Sequence, residues 1–223
     1  MKIVEYADRA MLCIELANVL AGELESWLLN HDHASFAVPG GTTPGPIFDR
    51  LCAADLDWSR VTVMPTDERW VPDDHERSNA RLIHARLLTE RAAQAPYMPF
   101  YRDGFKPEDA VAQLNAGMAG ELPISVLLLG MGGDMHCASL FPDAPDLAAA
   151  LAPDAPPLSV QSPPSQTETR ITLNAAVLDG AMNKHLVIMG DHKRAALERA
   201  TTLSPEEAPV AAVLQDMTVH WAS

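Results

Sequence analysis

Ser125-Val126-Leu127-Leu128-Leu129-Gly130-Met131-Gly132-Gly133-Asp134-Met135-His136 is the stretch on which the fold turns. The run is wholly apolar from Val126 to Leu129 and stops abruptly at glycines. An apolar run without alternation reads as a strand buried on both faces, the pattern of a parallel sheet covered by helices. In open α/β sheets, ligands bind beyond the carboxyl end of such a strand, which here is the glycine-rich segment from Gly130 to His136.

Outward from this stretch, further short strands are predicted at Phe36–Val38, Val61–Met64, Ile171–Leu173, Leu186–Met189 and Met217–Trp221. Helices alternate with them. Asp8 to Asn30 carries Leu12, Leu16, Val19, Leu20, Leu24, Trp27 and Leu28 at helical spacing. Pro44 to Ala54 reads as a helix with Thr42 or Thr43 as N-cap, and Ser78 caps one running through Leu88. Pro107 to Ala119 and a segment containing Lys193 complete the helices, while Leu147 to Pro157, rich in Ala and Pro, reads as a surface excursion. The alternation predicts an α/β chain with a mainly parallel sheet flanked by helices on both faces, Rossmann-like, and one domain over residues 1–223. Four polar loops, after Val38, Met64, Leu129 and Met189, then meet at one sheet edge.

The chain carries a formal net charge of −14. Such a field repels phosphate backbones and anionic lipid, so neither nucleic acid nor membrane is an expected partner. An anionic substrate therefore needs local positive charge, and Arg69, Arg170 and Lys193 all fall beside the converging loops. Cys13, Cys52 and Cys137 show neither disulfide nor metal spacing, which fits a reducing compartment. The acidic N-terminus does not read as a signal peptide, and no apolar run reaches the roughly 20 residues of a membrane span. The expected location is cytoplasmic.

Gly40-Gly41-Thr42-Thr43-Pro44 joins a strand to a helix start, where free amides and two hydroxyls suit an anion. It lacks the Gly-Lys-Ser/Thr ending of a nucleotide-binding loop. The Gly130 segment begins like a dinucleotide fingerprint, but Met135 stands at its third glycine. No cofactor is expected. Asp134 and His136, two apart, can pair, and a histidine beside a carboxylate can act as a general base near neutral pH. Thr66-Asp67-Glu68-Arg69 puts acids and a cation at another strand end; Ser78 and Asn79 lie downstream. Cys137 is a poor nucleophile candidate, since adjacent extended residues face opposite ways. The remaining histidines form no metal motif, so no metal is expected.

Together these segments resemble the 6-phosphogluconolactonases, within the group that includes glucosamine-6-phosphate isomerase/deaminase. Gly40–Pro44 is similar to that family's glycine-threonine-proline loop, and Asp67-Glu68-Arg69-Trp70-Val71-Pro72 with Ser78-Asn79 to its Asp-Glu-Arg block. Gly130 to Pro142, ending Ala138-Ser139-Leu140-Phe141-Pro142, looks like its histidine signature; Arg170–Leu173 and Gly190–Lys193 match two later motifs. Met135 replaces the glycine that usually precedes the histidine, and Ser162-Pro163-Pro164-Ser165 lacks a lysine that many relatives carry.

The resemblance implies a sugar-phosphate isomerase type of fold and hydrolysis of a phosphorylated sugar lactone, by a monomer or homodimer. It implies His136 as general base, Asp134 or Asp67 as its orienting carboxylate, and Gly40, Gly41, Thr42, Thr43, Arg69, Ser78, Asn79, Arg170 and Lys193 as substrate contacts. Deaminase relatives carry Phe-Asn-Glu-Pro after the histidine, where this chain has Leu140-Phe141-Pro142. An isomerase or deaminase is thus the first alternative, and a non-catalytic sugar-phosphate sensor the second.

Overall fold

In the computed structural model, which describes residues 1–223, the strand anticipated at Ser125–Leu129 is β5, Val126–Gly130. It lies inside a six-stranded sheet whose neighbouring strands all run parallel. The other members are β1 (Lys2–Glu5), β2 (Ala34–Val38), β3 (Val61–Pro65), β8 (Asn183–Met189) and β9 (Thr218–Ala222), in the order β1-β9-β8-β5-β2-β3. A second, antiparallel sheet joins β4 (Asp67–Arg69), β7 (Arg170–Leu173) and β6 (Leu158–Gln161).

Alternate residues of β5 belong to different cores, as a period of two requires. Val126 and Leu128 face one cluster, built against α1 (Arg9–Leu28), α2 (Gly45–Leu51) and α3 (Asn79–Arg86). Leu127 and Leu129 face the other, filled by α4 (Pro107–Gly117), α5 (Leu147–Leu151), α6 (Ala175–Asp179), α7 (Asp191–Ala200) and the small sheet. Both faces of the main sheet are therefore covered, and the mainly parallel α/β expectation holds. Along α1, Leu12, Leu16, Leu20, Leu24 and Leu28 form one buried stripe, and Asp8 caps its start by accepting from Met11 N at 2.8 Å. No helix is long and apolar enough to cross a membrane.

Several local expectations are corrected. The α2 cap is Pro44, with no side-chain bond, instead of Thr42 or Thr43. The chain turns earlier, at Gly41 (φ 87°), and the amides of Ile47 and Phe48 both donate to Pro44 O. The helix also ends at Leu51, short of Ala54, and α3 ends at Arg86, short of Leu88. Asp67–Arg69, read as loop, is a strand; three residues are too few to display alternation. Arg170 accordingly sits in the small sheet, paired with Arg69, and not at a carboxyl end of the main one. Leu147–Pro157 is no simple surface excursion, since Leu147 and Ala150 of α5 are buried in the core.

Candidate functional site

The glycine-rich loops after β2, β5 and β8 end at one edge of the main sheet and surround a cavity of about 270 Å³. Gly40, Gly41, Thr42, Thr43, Asp67, Arg69, Asn79, His136, Arg170 and Lys193 line it. Three of these are cations and one, Asp67, is a carboxylate. In a protein of net charge −14, that local excess of positive charge suits an anion.

His136 projects from the loop after β5. Its Nδ1 lies 2.6 Å from Asp134 Oδ1, and its ring stacks on Phe141 with centroids 4.1 Å apart. An ionised carboxylate only accepts, so Nδ1 carries the proton in this pair and Nε2 is left as the acceptor. Burial acts to raise the Asp134 carboxyl, but the bond and charge of His136 outweigh it and hold the group below the usual range. Gly132 lies against both side chains, so closely that a Cβ there would overlap His136 Nδ1 and Asp134 Oδ1.

Met135 adopts φ 68°, in the left-handed region that disfavours residues with a Cβ. The conformation costs about 1 kcal/mol or more. The residue is only 5% exposed and packs in the larger core. Burying an apolar side chain of this size returns about 1.5–3 kcal/mol, enough to offset the strain.

Asp67 takes a different position from Asp134. Its Oδ2 accepts from Ser139 Oγ at 2.5 Å and faces Arg170 Nη1 at 3.6 Å. Arg170 also donates to Gln166 Oε1 at 2.6 Å and lies over the Phe141 ring. Burial, with Arg69 and Arg77 nearby, pushes its guanidinium below the ordinary value, against the pull of Asp67. The Nε atoms of Arg69 and Arg170 are buried without a hydrogen-bond partner, while both residues line the cavity, where a guanidinium suits an anion with several oxygens. Arg69 is braced through its Nη1, which donates to Arg77 O at 2.5 Å.

Lys193, the third residue of α7 after Gly190 (φ 88°), donates from Nζ to Met131 O at 2.8 Å. Burial lowers its ammonium pKa while Asp134 raises it, and burial prevails. Asn79 donates to Asp67 O at 2.7 Å, and its side chain stands so close to Gly40 that a Cβ would not fit. Ser78 does not line the cavity. Its hydroxyl oxygen accepts from Arg81 N at 3.2 Å to cap α3 and also contacts Glu68.

Glu68, in the sequence only one acid of the Asp67–Arg69 cluster, has a role that residue types do not reveal. It is buried, and its two oxygens accept from the amides of Arg69 (2.8 Å), Asn79 (2.8 Å) and Ala80 (2.7 Å). Burial pushes its carboxyl up to about 7, against the three amides. It thereby ties the start of α3 to β4 and sets the spacing of Arg69 and Asn79. No spacing rule points to it, because its partners are backbone groups. Phe141 and Ser139 were also missed as contacts, though both sit in the histidine motif. Cys137 is fully buried, with its thiol pushed up to about 12 by burial and then Asp67, so it is inert.

Comparisons with known proteins converge on one group. The family model described as Glucosamine-6-phosphate isomerases/6-phosphogluconolactonase matches residues 7–221. The chain is 41% identical over 211 residues to a 6-phosphogluconolactonase of Pseudomonas aeruginosa, covering 92% of this chain and 88% of that protein. It is 36% identical over 228 residues to one of Caulobacter vibrioides, covering 99% and 97%. Among solved structures, a 6-phosphogluconolactonase of Shewanella baltica superposes with a TM-score of 0.95 at 29% identity, over 100% of this chain and 98% of that one.

Proposed function

The chain belongs to the family of glucosamine-6-phosphate isomerases and 6-phosphogluconolactonases, and we propose that it opens 6-phospho-D-glucono-1,5-lactone to 6-phosphogluconate in the oxidative pentose phosphate pathway. The observation that carries this reading is His136, paired with Asp134 and lining a cavity that also holds three cations. Loops of the main sheet and strand residues of the small one line the cavity together, which supports reading residues 1–223 as one unit.

Arg69, Arg170 and Lys193, with Gly40, Gly41, Thr42, Thr43 and Asn79, hold the phosphate and hydroxyls. Ser78 acts at one remove, by fixing the start of α3. A water molecule adds through its oxygen to the lactone carbonyl carbon while His136 Nε2 takes its proton. The positive charge lining the cavity stabilises the tetrahedral oxyanion. When that intermediate collapses, the bond from the carbonyl carbon to the ring oxygen breaks, and His136 returns the proton to the departing oxygen. Asp134 keeps the imidazole in the tautomer with Nε2 free and steadies the imidazolium between the two transfers. Asp67, engaged by Ser139 and Arg170, orders the cation side of the cavity.

No acyl-enzyme forms, and the buried Cys137 supports that. The test is release of acid from freshly generated lactone above its spontaneous rate, run beside glucosamine 6-phosphate. Lactone turnover without ammonia release is expected. Ammonia release, or no turnover of either compound, contradicts the reading.

A further inference from the structure

Between Gly132 and His136, Met135 is the one residue whose side chain is buried. Its neighbours Gly133 and Asp134 are exposed, and His136 leans into the cavity. The loop closes on itself twice: Met135 N donates to Gly132 O at 3.1 Å, and Gly132 N donates to His136 O at 2.9 Å. The Met135 carbonyl then accepts from Val210 N at 3.1 Å, which ties the loop to the segment Pro209–Val213. Met135 therefore reaches the core in two ways, through its thioether side chain and through its carbonyl. The left-handed bend at φ 68° lies immediately before His136.

We propose that Met135 is a positioning residue for His136: its buried side chain pins the left-handed bend and so holds the imidazole over Gly132, against Asp134 and toward the cavity. Relatives carry glycine here, but in this chain the core is packed around the Met135 side chain, so removing it empties the seat beneath the bend. A residue with no side chain reaches the bend without strain, but it also leaves the bend easily, because nothing anchors it below. A long unbranched apolar side chain makes the opposite compromise. It accepts the strained φ and gains a fixed seat in packed surroundings, where interior density resists displacement. A general base displaced by about 1 Å can lose about 100-fold in rate, so an anchor one residue away affects turnover without touching substrate.

This inference rests on the lactonase reading, and its test separates the two. Lactone hydrolysis by the parent, Met135→Gly, Met135→Ala and Met135→Leu is followed for kcat and KM. Melting temperature and calorimetric binding of 6-phosphogluconate are measured on the same samples. The Gly and Ala variants, which lose the anchor, are expected to lose about 10-fold or more in kcat, within the roughly 10²–10⁴ that a positioned base contributes. Their KM and their affinity for 6-phosphogluconate stay within about twofold, because the phosphate contacts are made elsewhere. Met135→Leu, with an apolar side chain of similar volume, keeps kcat within about threefold of the parent.

If Met135→Gly fails to fold, Met135→Ala carries the comparison at the parent's own backbone region. Retention of full kcat by the Gly or Ala variant overturns the proposal. So does a loss in Met135→Leu equal to that in Met135→Gly, or a loss that appears in KM and product affinity instead of kcat. An inactive parent, or a His136→Ala variant with unchanged turnover, strikes the lactonase reading itself. A parent that depends on His136 while Met135→Gly turns over normally strikes the anchor alone.

Discussion

Asp134 Oδ1 lies 2.6 Å from His136 Nδ1, and the two side chains share the space left open by the missing side chain of Gly132. A carboxylate there accepts the Nδ1 proton, whereas an amide at the same place can offer its own N–H and favour the opposite tautomer. Asp134→Asn is therefore expected to lower kcat at least about 10-fold and up to about 10⁴-fold, the cost of the same exchange in a buried Asp-His pair that sets the tautomer. KM should change little. Steady-state kinetics check both, and a KM effect without a kcat effect would move Asp134 into substrate binding.

Gly132→Ala probes the same pair from beneath. A Cβ there overlaps both His136 Nδ1 and Asp134 Oδ1, so the imidazole must move. The loss in kcat should match or exceed that of Asp134→Asn, about 10-fold at the least. The loop is exposed at Gly133 and Asp134, so the melting temperature should fall only slightly. Thermal denaturation run beside the kinetics separates the two effects.

Lys193 is the cleanest probe of anion binding. Its Nζ spends one donor on Met131 O and lines the cavity with the rest. Losing a charge-assisted hydrogen bond, worth about 1.5–3 kcal/mol, corresponds to about 10- to 100-fold in affinity. Lys193→Gln should raise KM by that factor, and any accompanying fall in kcat measures the share of Lys193 in stabilising the oxyanion. Substitution of Arg170 confounds binding with stability, because it strands the buried Asp67. Initial rates across a lactone series decide the matter.

The interior also sets a pH dependence remote from the cavity. Tyr6 Oη, His220 Nδ1 and Nε2, His185 Nδ1 and Nε2, and Glu23 Oε2 form a hydrogen-bonded chain with steps of 2.7, 2.9 and 2.6 Å. Burial, then the charges of His185 and Lys2, lowers the His220 pKa from 6.5 to about 3. The unfolded chain thus binds a proton that the folded chain refuses between those values. Stability from this group is complete above about pH 6.5 and is lost as pH falls toward about 3, at up to about 1.4 kcal/mol per pH unit. Glu68, raised to about 7, acts with the opposite sign between about 4.5 and 7. The His220 contribution is therefore the difference between parent and His220→Gln in urea unfolding at about pH 7 and about pH 5. The parent should lose more on acidification; equal losses would contradict the burial argument.

Legibility in the sequence depended on length and locality. β5 and β8 are readable because four or more consecutive apolar residues end at glycine, and α1 because twenty residues show its stripe. β4 and α5, with three and five residues, are too short for any period to appear. Most expected cavity residues stand at loop glycines or beside cations, and the structure brings them together. The choice between Asp134 and Asp67 as partner of His136 was open, since it depends on β4 pairing with β7, which carries Asp67 to Arg170 and Ser139. Glu68 shows in the sequence only as one acid of a charge cluster, and its role stays hidden because its partners are amides, which leave no trace in residue types.

At the centre of the proposed mechanism, His136, held by Asp134, moves the proton of the attacking water. The most direct test is the enzyme-dependent rate of lactone opening by His136→Ala, corrected for spontaneous hydrolysis, with 6-phosphogluconate binding measured on the same protein. A fall in kcat of about 10²–10⁴-fold with product binding retained is the predicted result. Turnover equal to the parent's would contradict it.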